Sequence, residues 1–389
     1  MKRYLSGKAL NNILVFLWIG FLFFAPWSLA GAQAFLAGTV IIGILNIFLY
    51  RRKLLLHPLS LCVFAYLISY LISAFLAPNR YDSIRSFANE WMLLAILSGI
   101  ATRWSERGKK FALYVLFIVS SIVSAYAIWQ FFSGIDLYRA RMLEPAGRFF
   151  IATGVFGQHL TFGTMYMMLA LFAFGRFASG GKFFFPSGVL ATISVVVSFA
   201  RSAWLGFISG IVSLMFCGKR KIVLLFSILF LIVVLIFLLP SLRERAMGLH
   251  FGEVAVESRI TLSRTAFNMF KAHPFFGIGA GNFSTYFDEF YTGGVYDNSC
   301  HPHNDYLNIL ASGGIFTFIP FILIFVVFFT LILKQIKSSD GLDKGIAIGS
   351  FSAVVGFLVA SFFQCNWTDA EVGEFVIFLL GFALSGGEK

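Results

Sequence analysis

Long apolar runs separated by short polar stretches dominate this chain. Runs able to cross a hydrocarbon core of roughly 30 Å recur near 12–30, 34–50, 58–77, 88–102, 111–132, 158–175, 184–200, 203–217, 222–240, 305–333, 345–363 and 371–385. The pattern predicts about twelve transmembrane helices. A single long polar segment breaks it, so the expected division is transmembrane helices 1–9 over 1–240, a large outer loop over 241–304, and transmembrane helices 10–12 over 305–389. Within the loop, residues 258–273 show the spacing of an amphipathic helix headed by Ser258 and stopped by Pro274.

Composition points the same way. Of 389 residues, 59% are hydrophobic, Phe numbers 50 and only 12% are charged. Mean hydropathy is +0.85, beyond what a soluble domain carries. The fold class is an all-α polytopic membrane protein. A net charge of +12 invites a nucleic-acid reading, yet the basic residues form short clusters between apolar runs, as cytoplasmic loops do, so no nucleic-acid partner is expected. Cys62, Cys217, Cys300 and Cys365 make no CxxC pair, which argues against a zinc ribbon or a disulfide scaffold. Cys300 and Cys365 both face outward on this topology and can pair in an oxidising compartment. The basic N-terminus and the run from Ile13 resemble a signal peptide, but a second apolar run follows at once, and the first is read as an uncleaved span.

Placing the N-terminus inside puts a basic cluster in every cytoplasmic loop: Lys2, Arg3 and Lys8; Arg51 to Lys53; Arg103, Arg107, Lys109 and Lys110; Arg176 and Lys182; Lys219 to Lys221; Lys334, Lys337 and Lys344; and Lys389. Both termini are then cytoplasmic, as the positive-inside rule requires. The remaining basic residues, Arg80, Arg85, Arg139, Arg141, Arg148, Arg201, Arg243, Arg245, Arg259, Arg264 and Lys271, are almost all arginine. A planar five-donor fork suits phosphate and carboxylate, so the outer face reads as built to hold an anion. Pairing with outer acids such as Glu244, Glu253, Glu257, Asp288 and Glu289 is the competing structural reading.

Three places carry candidate chemistry. The apolar stretch 183–217 has basic residues at both ends and must turn near Ser198–Ser202, with legs too short for a full crossing, so Arg201 sits at a recessed turn where an arginine marks a site. In the loop helix, Arg259 and Arg264 are five residues apart and cannot both face one site; Arg259 is favoured. Gly277-Ile278-Gly279-Ala280-Gly281 lacks the preceding strand of a dinucleotide motif and reads as a tight turn. Cys300-His301-Pro302-His303-Asn304-Asp305-Tyr306 closes the loop, with Asn304 or Asp305 capping the next helix. His303 therefore lies at a helix N-terminus, where the dipole disfavours imidazolium and prepares a neutral general base. The Gly313-Gly314 pair predicts a kink that leans His303 over a cavity.

Taken in order, Arg201-Ser202, Ser258-Arg259 with the helix ending His273-Pro274-Phe275-Phe276-Gly277-Ile278-Gly279, and His303-Asn304-Asp305-Tyr306-Leu307 with Gly313-Gly314 resemble the O-antigen ligase and O-antigen polymerase superfamily. The resemblance covers mainly 195–320. It implies a GT-C type glycosyltransferase fold in the bacterial inner membrane, with a periplasmic active site. It implies as substrates a glycan on undecaprenyl diphosphate as donor and, for ligases, a lipid A core sugar as acceptor. It also implies that Arg201, Arg259 and His303 are the essential residues. The O-linked protein ligases of the family are longer, so that branch is not expected.

The chemistry expected is a metal-independent, cofactor-free inverting transfer in which Arg201 and Arg259 hold the diphosphate and His303 takes the acceptor proton. Arg264, His301, Asn304, Tyr306, Arg148 and His159 are further substrate-binding candidates. A zinc set from Cys300, His301 and His303 is weakened by the intervening Pro302 and the lack of further ligands. The alternative within the family is an O-antigen polymerase acting on lipid-linked repeats. A secondary transporter, the alternative of another class, calls for charges at the bilayer midplane and related halves, and no internal repeat is visible.

Overall fold

The structure, a computed structural model, describes residues 2–217, 254–298 and 301–387. The expected span 222–240, the basic residues Lys219, Arg220, Lys221, Arg243, Arg245 and Lys389, the acids Glu244 and Glu253, and Cys300 lie outside the described residues.

Helices dominate. They are α1 (Lys2–Phe24), α2 (Leu29–Tyr50), α3 (Pro58–Leu76), α4 (Arg80–Phe87), α5 (Leu94–Ala101), α6 (Glu106–Ser133), α7 (His159–Ala178), α8 (Phe184–Val197), α9 (Arg201–Cys217), α10 (Val254–Ala272), α11 (Phe287–Phe290), α12 (Asp305–Ser338), α13 (Gly341–Ala360) and α14 (Ala370–Ala383). Their ends follow the local sequence. Ser28, Asn79, Ser105 and Asn304 cap α2, α4, α6 and α12 through their side chains, and Pro58 opens α3.

Among the described residues seven helices are long and apolar enough to cross a membrane: α1, α2, α3, α6, α7, α12 and α13. The other runs differ from a simple reading of hydropathy. The two legs around Arg201 are α8 and α9, of 14 and 17 residues. Run 88–102 is not one helix, for a 3-10 stretch over Ala88–Leu93 leads into the eight-residue α5. Run 371–385 gives α14, of 14 residues. Short polar hairpins pair Ile135–Asp136 with Arg141–Met142 and Pro145–Ala146 with Phe149–Phe150, an element the hydropathy pattern did not signal.

Helix α7 is the axis of the bundle, buried along nearly its whole length and packed against α8, α9 and α13. Backbones approach closely there: a Cβ on Gly175 would lie 2.2 Å from the Cα of Gly349. Small residues permit such contact where no hydrophobic effect drives helices together. Helix α12 packs on α3 and carries α10 against its first turns.

Among the described residues, Arg103, Lys109 and Arg176 lie at one end of the bundle. Lys109 pairs with Asp343 at 2.7 Å, Arg176 donates to the carbonyls of Gly341 and Leu342, and Asn11 binds the backbone of Arg103. The α8–α9 turn and the start of α12 lie at the other end.

There α12 is broken and repaired. Gly314 has φ 65° and ψ −171°, which cancels the helical bonds that Ile315 and Phe316 would make to Ala311 and Ser312. Segment 274–279 replaces them. The amides of Ile278 and Gly279 donate to the carbonyls of Ala311 and Ser312 at 2.8 Å each, while those of Ile315 and Phe316 donate to Pro274 and Phe275 at 2.9 and 3.3 Å. Non-helical backbone inside a membrane protein needs such internal partners. Gly277, Gly279 and Gly281 all have positive φ, so the glycine run is a turn, laid against the broken helix.

Candidate functional site

The turn between α8 and α9 is tight because Ser198 bonds within it, donating to Val195 and accepting from the Ala200 amide, while Phe199 takes φ 55°. Arg201 is thereby the first residue of α9. Trp204, one turn on, donates its indole N–H to the Val195 carbonyl at 2.9 Å and fixes the two legs together.

Helix α10 begins at Val254, not at Ser258. Ser258 is a buried residue of the second turn, hydrogen bonded to Asp297, so it ties the helix to the segment leading into His301 where a capping role was expected. Leu262, Ala266 and Met269 are buried against Ile278, Phe283, Phe287 and Ala311. Arg259 lies on the adjoining flank with Val256 and Ser263.

These elements enclose a cavity of about 760 Å³ lined by Arg201, Ser202, Trp204, Arg259, Ser263 and His303. Its remaining wall is apolar and includes Val195, Phe207, Ile260, Phe362 and Phe363. Leu205, Ile208, Ile260, Phe362 and Phe363 are exposed at its flank. The guanidinium of Arg259 is near enough to His303 to act on its titration.

The His301–Asn304 turn is held by the segment between α13 and α14. Asn304 caps α12, its Oδ1 accepting from the Leu307 amide at 3.0 Å and its Nδ2 donating to the Phe362 carbonyl at 3.0 Å. Asp305, fully buried, accepts from the amides of Asn366 and Trp367 at 3.0 Å. His303 has φ 49°, and its Nδ1 lies 2.7 Å from Oε1 of Gln364. An amide oxygen only accepts, so Nδ1 carries the proton and Nε2 keeps a lone pair. Burial, then the charge of Arg259, holds the imidazole below its ordinary value against the opposing pull of Gln364 and Asp297. Neutral His303 was expected from the helix dipole; burial is the larger cause.

His301 stands beside it, ring centroids 4.6 Å apart, with Nδ1 accepting from the His303 amide at 3.4 Å. Burial and the neighbouring imidazole push it down to about 4.

The other candidates lie elsewhere. Arg264 is exposed on α10 and absent from the lining. Tyr306 donates to the Leu358 carbonyl in the last turns of α13 at 2.7 Å and packs its ring on Phe362, centroids 4.4 Å apart. Arg148 is exposed on the second hairpin. His159 lines a separate cavity of about 390 Å³ with Arg141 and Glu144. Arg141 itself is held by Asp136 at 3.1 Å and by the Gly157 carbonyl, which makes that outer arginine structural. Sequence reasoning found no chemistry in 364–371. It missed Gln364 because nothing near that residue in the chain points to His303.

Bundle and cavity together define a multi-pass helical membrane protein with a pocket at one end that is basic on one wall and apolar on the other. Residues 186–322, about a third of the chain, match the family model Wzy_C, described as O-antigen ligase, and this match supports the resemblance to the O-antigen ligase and polymerase family. No curated protein matches the chain. The matched segment runs from α8 to the middle of α12 and contains Arg201, Arg259 and His303.

Proposed function

We propose that the chain is an O-antigen ligase of GT-C type, transferring a glycan from undecaprenyl diphosphate to a lipid A core sugar at the periplasmic face of the inner membrane. The observation that carries this reading is the presence of Arg201, Arg259 and His303 on one cavity whose other wall is apolar. Such a wall suits a polyprenyl chain, and two guanidinium groups suit its diphosphate. The placement of Lys109 and Arg176 at the opposite end supports an outward-facing site.

The donor is already activated, so no nucleotide is needed. The acceptor hydroxyl oxygen forms a bond to the anomeric carbon as the bond from that carbon to the diphosphate oxygen breaks with its electron pair. The hydroxyl proton passes to Nε2 of His303, and the configuration inverts. Arg201 and Arg259 offset the charge that grows on the diphosphate, the role a divalent cation plays in other transferases. Each contribution is worth about 2–5 kcal/mol of barrier.

The test is transfer by the purified protein from undecaprenyl-diphosphate glycan in the presence of chelator. His303→Ala, Arg201→Ala and Arg259→Ala should each lower the rate by about 10²–10⁴-fold. Product on lipid A core supports the ligase; extension of a lipid-linked repeat instead makes the protein a polymerase. Solute movement in liposomes without glycan transfer overturns both.

A further inference from the structure

A second cavity lies behind the histidine turn. It has a volume of about 190 Å³, one quarter of the first, and His301 forms part of its wall while His303 faces the larger space. The two cavities meet at this histidine pair, whose rings stand 4.6 Å apart. Their linings differ: beside apolar Met92 and Phe283, the smaller carries Ser86, Asn89, Glu90, Asn308 and Thr368, and no arginine.

Glu90 is the telling member. It is 7% exposed, and its Oε2 has no hydrogen-bond partner among the described residues. A buried carboxyl oxygen left without a donor is unfavourable, and a ring hydroxyl that donates to the Glu90 carboxyl removes that penalty once the side chain turns its closed-off oxygen toward the cavity. Asn89 and Thr368 are exposed at the mouth and offer both donors and acceptors. The glycine turn completes the wall, since a Cβ on Gly281 would lie 2.0 Å from Oγ of Ser86.

We infer that this second cavity seats the acceptor, a hydroxyl-bearing sugar ring, bound through Asn89, Glu90 and Asn308 and presented across the His301 edge to His303. The inference rests on the transferase reading above and deepens it. The arginines hold the leaving diphosphate in the larger cavity, where His303 also faces, and the reacting hydroxyl of the seated ring reaches the anomeric carbon past the edge of His301. The small volume and the mixed lining, polar groups beside Met92 and Phe283, suit a sugar ring and exclude the polyprenyl chain.

The experiment is steady-state transfer by the full-length protein in nanodiscs, varying donor and acceptor separately, with a lipid A core acceptor in one arm and a lipid-linked repeat in the other. Asn89→Ala, Asn308→Ala and the isosteric Glu90→Gln should raise the acceptor KM tenfold or more and leave the donor KM within twofold, in whichever arm the wild type is active. Arg201→Ala should do the reverse. Asn89 is exposed, so its variant keeps the reading secure should Glu90→Gln fold poorly. An unchanged acceptor KM, or a change in donor KM instead, overturns the acceptor site alone. A wild type that transfers nothing in either arm overturns the transferase reading and this site with it.

Discussion

Gln364 fixes the tautomer of His303. Its Oε1 lies 2.7 Å from Nδ1 of a histidine 61 residues earlier in the chain, and the lone pair on Nε2 follows from that contact. In the proposed reaction Nε2 is the atom that takes the proton.

Gln364→Ala should therefore lower kcat by about tenfold or more, within the 10²–10⁴-fold that general-base catalysis contributes. Gln364→Glu places a carboxylate against Nδ1 and favours imidazolium. It should move the acid limb of the pH–rate profile upward, whereas Gln364→Ala should move it down. Equal profiles for the two variants would remove the positioning role.

Arg259 lowers the titration of His303 by its charge, so the wild-type rate should hold through neutral pH and fall only below the ordinary imidazole range. Arg259→Gln should shift that fall to higher pH as well as slow transfer. A pH–rate series on both proteins checks the direction.

The folded-state value of His301, about 4, lies below that of the unfolded chain. Between the ordinary value near 6.5 and about 4, the unfolded state binds the extra proton and the folded state does not. Stability contributed by neutral His301 is thus complete above pH 6.5 and lost as pH falls toward 4. Thermal unfolding across that window should show the loss, and His301→Asn should flatten it.

Asp305 receives two backbone amides while fully buried. Asp305→Ala leaves both N–H groups without a partner at a cost of about 2–5 kcal/mol. The variant should unfold at lower temperature and also lose transfer, because the same loop carries Gln364.

Gly314→Ala meets two penalties. Its φ of 65° costs a residue with a side chain roughly 1–2 kcal/mol, and the new Cβ would lie 2.4 Å from the backbone of Phe275. Gly180, with positive φ and nothing within 4 Å, bears only the first. Gly314→Ala should be clearly the more destabilised of the two in thermal unfolding.

Much of this architecture was legible because hydropathy and charge act locally. The long spans α3, α6, α7 and α12, the Arg201 turn and the Gly314 break each follow from residues within one stretch. Arg259 was separable from Arg264 because helical spacing alone puts them on different sides. The hidden parts are contacts between distant stretches. Ser258 looked like a cap, yet its partner Asp297 is 39 residues away, and Gln364 meets His303 only after α12 and α13 have crossed and returned. Run 88–102 had the hydropathy of a span, but Asn89 and Glu90 line a small cavity and a continuous helix does not form there.

The stitching of segment 274–279 into the gap at Gly314 has a consequence for protein engineering. Helix α10, which bears Arg259, and the first turns of α12, which follow His303, are bound through one shared set of backbone bonds. Specificity is then not portable one side chain at a time: a chimera that takes α10 from a homologue without the matching 305–316 would misalign the two halves of its own chemistry, whereas exchange of 254–316 as a single cassette preserves them.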